Sequence, residues 1–217
     1  MERDPGIEIL YLDGDIVVCV KPAGVLSEEG DGGSSSMPGI LRDYFAENGE
    51  KTKVFPVHRL DAGTRGVMVY ARNAKAAAAL SEAVREGRFV KEYEALVHGT
   101  PEGAPGEERE LWDLLFKDSS KNKVFVAKTM RRGVRKAGLV YKIKEIRGDV
   151  TLLRIKLLTG RTHQIRVQFA SRGYPLVGDR KYGAGDDSKN IALCAVRISF
   201  PHPAKGNESV FEIPSDL

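Results

Sequence analysis

Along this chain, apolar runs of strand length alternate with turn residues, and only three stretches carry the signals of helices. Glu8 to Val20, turning at Asp13-Gly14, reads as a hairpin or two short strands. Val67-Met68-Val69-Tyr70-Ala71 is a further strand-like run, and later strands are expected over Lys91 to His98, Lys123 to Thr129, Leu139 to Ile146 and Val150 to Leu158. Ile191 to Phe200 and Val210 to Ile213 close the series. A helix is expected over Pro38 to Asn48, with proline at its start and Gly49 just past its end. A second runs from an Asn73 cap through Glu86 to Gly87, with Ala77, Leu80 and Val84 on its buried face. A third, capped by Thr162, is expected to reach about Ser171. Residues 25–37 are rich in Gly and Ser and read as a loop, and Pro101 to Gly106 as an exposed acidic connector.

Many short strands with few helices suggest an α+β fold, a mixed and mostly antiparallel sheet flanked by helices and loops. At 217 residues the chain is long enough for one well-cored domain, or one domain with a small subdomain. No internal repeat, coiled coil or targeting tract is visible, and no apolar run approaches a membrane span in length. Cys19 and Cys194 both fall within apolar strand-like runs, which favours buried reduced thiols over a disulfide framework and a cytoplasmic setting.

The net charge of +4 is mild, but its distribution is not. Between Lys117 and Arg147, eleven Lys or Arg face two acids, Asp118 and Glu145, giving a local balance of +9 and leaving −5 for the rest of the chain. Such asymmetry resembles the footprint of a polyanion-binding surface, the alternative being a solvated strand-and-loop face.

Chemistry concentrates in His58-Arg59-Leu60-Asp61-Ala62-Gly63-Thr64-Arg65-Gly66, which sets a carboxylate in a Gly-containing turn directly before a strand. Asp61 there is either a turn former bonding nearby backbone or a reactive carboxylate presented by a rigid scaffold. H-R-L-D followed by x-x-T-x-G resembles the signature of the RluA-type pseudouridine synthases, which convert a uridine in RNA to its C5-glycosidic isomer. Lys21-Pro22-Ala23-Gly24 is similar to the family's K-P-x-G segment, and Lys91 to Gly99 to its K-x-Y-x-A-x-V-x-G strand. Gly160-Arg161-Thr162-His163-Gln164-Ile165-Arg166 resembles the G-R-x-H-Q-I-R block. Pro175 to Asp179 with Tyr182-Gly183, then Phe200-Pro201-His202-Pro203, follow in family order. The likeness spans roughly residues 10 to 203, and ordered segments together specify far more than any one motif. It implies a large bent mixed sheet crossed by an RNA-binding cleft and, with the K-P-x-G segment so near the start, residues 1–217 are expected to form a single catalytic domain without a separate N-terminal RNA-binding domain. Three positions depart from the pattern: Ala62 where a basic residue is common, Arg65 where Ser is usual, and Cys194 where His is usual.

The resemblance implies roles for individual residues. Asp61 is the nucleophile, and a fixed cation must keep it ionised in a pocket that excludes water. Arg161 is the implied ion-pair partner, and its place at a strand-to-helix junction suits a functional side chain. Tyr93 is implied to stack on the target base; its phenol, with a pKa of about 10, is a poor base at neutral pH. Leu193 is taken as part of the apolar pocket wall. Arg59 and Arg65 flank Asp61 and are expected to hold phosphates around the flipped nucleotide. The expected partner is RNA, ribosomal or transfer, and the chain is expected to act as a monomer with no required protein partner.

No cofactor is called for. His58, His98, His163, His202, Cys19 and Cys194 show no metal-ligand spacing, and neither a P-loop nor a GxGxxG fingerprint occurs. H-R-x-D lacks the other protein-kinase motifs, and a carboxylate glycosidase would need a second catalytic acid. The alternative reading, prompted by the three departures, is an RNA-binding protein on the same scaffold that has lost catalysis.

Overall fold

The computed structural model describes residues 6–30 and 35–217, so part of the expected Gly/Ser loop, residues 31–34, lies outside the described residues. The chain folds into two compact units, one formed by residues up to Lys91 with Ala195–Pro214, the other by Glu92–Cys194 with Ser215–Leu217. The architecture is the expected α+β one, an open mixed sheet with three α-helices among the described residues.

In the first unit, β1 (Ile9–Leu12) and β2 (Ile16–Lys21) form the expected antiparallel hairpin. Its turn is held by Asp13, whose Oδ1 accepts the N–H groups of Asp15 and Ile16 at 2.9 and 3.0 Å. Beyond β2 come α1 (Met37–Glu47), the short β3 (Phe55–Pro56), β4 (Arg65–Ala71) and α2 (Ala74–Arg85). β2 pairs antiparallel with β4 from Ile16–Ala71 to Lys21–Gly66. Both strands are buried along almost their whole length, which explains why they read as continuous apolar runs rather than alternating ones.

α1 starts one residue before the expected Pro38 and is capped by Ser36, with its hydroxyl accepting the Gly39 N–H. Asn73 caps α2 as expected, accepting the Ala76 N–H at 2.8 Å. The buried face of α2 differs from expectation by one position: Ala76, Leu80 and Ala83 face inward, and Val84 is 36% exposed. The run Ala76 to Ala79 offers no hydrophobic contrast to fix the phase, and both 83 and 84 lie within one turn of Leu80.

The second unit is an antiparallel sheet built on β5 (Val90–His98), β6 (Arg109–Asp118), β7 (Lys123–Ala127), β8 (Val134–Arg147) and β9 (Val150–Leu157). Its strand order is β5-β9-β8-β6-β7, with every consecutive pair antiparallel. α3 (Gln164–Ala170) covers one face, where Val167 joins Leu115, Val124, Ala137 and Tyr182 in a small core. β10 (Leu193–Pro201) begins in this unit and continues into the first, where β11 (Glu208–Glu212) pairs with it. Cys19 and Cys194 are both buried and outside any disulfide, and burial pushes the Cys19 thiol up to about 12. No helix among the described residues is long and apolar enough to cross a membrane.

Candidate active site

The turn carrying Asp61 is fixed from both sides by groups within the first unit. Leu60, the residue before it, donates its N–H to the Ser27 hydroxyl at 3.0 Å, and that hydroxyl donates to the Leu60 carbonyl at 2.7 Å. Ala62, the residue after it, offers a carbonyl that accepts the Gly24 N–H at 2.8 Å and the Lys21 ammonium at 3.0 Å. The Thr64 N–H closes the turn onto the Asp61 carbonyl at 2.9 Å. A half-buried carboxylate is thus carried by backbone with little freedom to move, the preorganisation that a reacting group needs.

Lys21 is the centre of this clamp. It ends β2 with no exposed surface, and its Nζ also donates to the carbonyls of Pro22 at 2.9 Å and Val25 at 2.7 Å. Three acceptors satisfy the three donors of an ammonium. Burial lowers its pKa to about 8, against the pull of the Asp61 negative charge, which raises it. Nothing in the sequence reading assigned Lys21 a role. The available signal was a lysine closing the apolar run Ile16 to Val20, since lysine is almost never fully buried unless paired.

His58 serves the scaffold. Its Nε2 accepts the Val69 N–H at 3.2 Å, its ring packs on Phe89 with centroids 5.0 Å apart, and burial together with the Lys91 charge pushes it down to about 3. It is a neutral imidazole at physiological pH. Gly66 admits no side chain: with φ at 147°, a Cβ there would lie 2.4 Å from the Ala195 carbonyl oxygen. Of the flanking arginines, Arg59 is exposed, 3.3 Å from the Glu28 carboxylate, and Arg65 is the half-buried first residue of β4. The departure at position 62 leaves the clamp intact, because Ala62 contributes only a carbonyl that any residue supplies.

The second unit holds Tyr93, Arg161 and Leu193. Tyr93 lies in β5 opposite Ile155 and is buried, and Leu193 is the buried first residue of β10. Arg161 is exposed, with its Nε donating to the Lys136 carbonyl at 3.1 Å. Its loop is docked on β8 through Gly138, whose carbonyl accepts the N–H groups of Leu158 and Thr159 and the Gln164 amide at 2.9–3.1 Å. The Gln164 oxygen accepts the Arg161 N–H at 3.0 Å and the Thr159 hydroxyl at 2.7 Å. The expected Thr162 cap is replaced by this arrangement: α3 starts at Gln164 after a left-handed His163, φ 50°. Arg166, the last residue of the same block, makes a buried two-pronged pair with Asp179 at 2.7 and 2.8 Å. The block therefore contains one exposed arginine and one structural one, a distinction its spacing does not announce.

The family model for RNA pseudouridylate synthase matches residues 15–171. The chain belongs to this family. As an RNA pseudouridine synthase it is an isomerase acting on RNA. It is 34% identical over 222 residues to the dual-specificity RNA pseudouridine synthase RluA of Escherichia coli (strain K12), covering 99% of this chain and 96% of that one. It is 33% identical over 219 residues to ribosomal large subunit pseudouridine synthase C of Buchnera aphidicola from Acyrthosiphon pisum, covering 96% of this chain and 67% of the relative. The solved structure of human RNA Pseudouridylate Synthase Domain Containing 1 shares the synthase fold, with a TM-score of 0.78 at 22% identity over 99% of this chain and 86% of that one.

Proposed function

We propose that this synthase isomerises a uridine in structured RNA, ribosomal or transfer, with Asp61 as nucleophile and Arg161 as the cation that keeps it ionised. One Asp61 oxygen attacks either C1′ of the ribose or C6 of the uracil, and the N1–C1′ bond breaks. The freed base turns, C5 bonds to C1′, the bond to the Asp61 oxygen breaks and returns the free carboxylate, C5 gives up its proton and N1 gains one. Every atom of the substrate is retained, so the isomerisation needs no oxidant, reductant or group donor. Tyr93 packs against the base, Leu193 contributes to the pocket wall, and Arg59 and Arg65 hold the phosphates beside the flipped nucleotide. The enzyme works as a monomer in the cytoplasm.

The observation that carries this reading is the clamp on both neighbours of Asp61, at Leu60 by Ser27 and at Ala62 by Lys21 and Gly24. A turn former needs no such support from a separate segment, Lys21 to Ser27, whereas a nucleophile held in reacting geometry does. The names of the relatives, one of dual specificity and one of the large ribosomal subunit, support the choice of RNA classes. The test is to incubate the protein with total uridine-labelled RNA and quantify pseudouridine. Wild type is expected to form it, and Asp61→Asn to bind the same RNA while losing at least about a thousandfold in rate, the scale seen when a covalent nucleophile is removed. Equal product from both proteins would remove Asp61 from the mechanism. Binding without product by wild type on every RNA would favour a protein that has lost catalysis.

A further inference from the structure

In the second unit, α3 covers one face of the β6–β7–β8 sheet, and the opposite face carries aromatic residues open to solvent. Side chains alternate along a strand, and partners across an antiparallel ladder share a face. Leu115, Val124 and Ala137 belong to the core under α3. Their neighbours Trp112, Leu114, Phe116, Phe125 and Lys136 therefore project the other way, and the register aligns Leu114 with Lys136 and Phe116 with Phe125. Trp112 is 42% exposed and Phe125 39%.

Each aromatic on this face has a cation over its ring. Lys136 Nζ lies 4.3 Å from the Trp112 centroid, the Arg131 guanidinium carbon 5.1 Å from Phe116 and Lys123 Nζ 5.9 Å from Phe125. Lys128 and Arg132, also exposed, stand in the loop between β7 and β8. Trp112 has one structural reason to be where it is. Its six-membered ring lies against Gly138, where a Cβ would come within 2.5–2.7 Å of three ring atoms. That contact explains the seating of the ring and leaves unexplained why a large aromatic, rather than an aliphatic residue, remains in solvent beneath a lysine. Gly138 and Lys136 are also the residues whose carbonyls dock the Arg161 loop, so the platform adjoins a residue assigned to the reaction.

We propose that this face is a binding platform for an unpaired stretch of the substrate RNA, with a base stacked on Trp112 and phosphates held by Lys123, Arg131 and Lys136. Stacked aromatics give sequence-tolerant contacts to single-stranded bases, and the surrounding cations match the charge of the backbone. A protein partner would also bury aromatic surface, but the positive rim of the face is complementary to RNA. The inference rests on the RNA-modifying reading above and places part of the RNA on a face to which that reading gives no role.

Trp112 is the chain's sole tryptophan, so its emission, excited where tyrosine does not absorb, reports on this face alone. Binding is followed independently by the anisotropy of a labelled unpaired RNA. Emission is expected to be quenched in step with RNA binding and to remain unchanged when inorganic polyphosphate, a polyanion without bases, is bound. No quenching at RNA concentrations that saturate the anisotropy, or equal quenching by polyphosphate, overturns the proposal. In pseudouridine formation, Trp112→Leu, which still covers Gly138, is expected to raise KM roughly five- to a hundredfold, and Trp112→Phe to restore most of the loss. An unchanged KM in Trp112→Leu with active wild type sinks the platform while leaving the enzyme reading intact. Absence of product from wild type sinks that reading while the emission experiment still judges the platform.

Discussion

The chemistry proposed for Asp61 depends on a residue that never touches substrate. The Lys21 ammonium bonds three carbonyls, one of them belonging to Ala62, so its protonation state and the placing of the neighbouring carboxylate are linked. As pH rises through about 8 the ammonium loses a proton, and the resulting amine presents a lone pair where it had offered a donor. Pseudouridine formation is therefore expected to fall above about pH 8. Stability moves the other way for this group. Its folded pKa lies below the ordinary lysine value of 10.5, so between about 8 and 10.5 the unfolded chain binds more protons, and this contribution to stability rises with pH. Activity and urea midpoint measured across that window should diverge. In Lys21→Met the alkaline limb near 8 should vanish, with activity at pH 7 lowered about tenfold or more by a loosened turn. A limb unchanged in the variant would assign it to another group. The H-R-L-D motif gave Asp61 a role, whereas the K-P-x-G motif contained Lys21 without one, because burial of a lysine is decided by the fold and by carbonyls from three separate positions.

At the scale of elements, α3 shows how a weak local signal is overruled. Seven residues are too few for a helix stable by itself, and its N-cap side chain makes no capping bond. What holds it is tertiary: Gln164 tied to Gly138, Val167 in the core under it, and Arg166 gripping Asp179. Arg166→Met strands a buried carboxylate and is expected to cost about 3–5 kcal/mol in urea unfolding. Combining it with Asp179→Leu should recover much of that loss, since the penalty is the unpaired charge rather than the missing attraction. A double variant as unstable as the single would contradict this account. The same contrast separates what was legible elsewhere. The β1–β2 hairpin and the Asn73 cap were readable because turn and capping chemistry is local. β6 went unread, because Leu111, Leu114 and Leu115 with interspersed charges follow no period of two, and its extended form is fixed by β7 and β8 on either side. Buried β2 and β4 announced themselves as apolar runs, whereas the inward face of α2 was lost in a run of alanines.

For the whole molecule, the unequal distribution of charge matters more than its sum. A net charge of +4 would give a weak and undirected attraction for RNA, but residues 117–147 hold +9 while the remainder holds −5. An approaching polyanion is drawn to one segment and repelled by the rest, which orients the encounter before any base is read. The composition recorded this imbalance, and the fold adds that Arg131, an exposed cation of the β7–β8 loop, sits over the Phe116 ring. Phosphate contacts displace counterions, so affinity for single-stranded RNA should fall with salt at a log–log slope of about −0.7 per contact. Replacing Lys128, Arg131 and Arg132 together by Gln should flatten that slope by roughly 2 if each holds one phosphate. Removing acids instead, by Glu47→Gln with Glu82→Gln in the exposed surface of the first unit, changes net charge without touching the segment. That pair should leave the slope as it was. If both sets of substitutions altered the slope in proportion to net charge alone, RNA would be sensing the protein as a diffuse cation, and the localised surface would have no part in recognition.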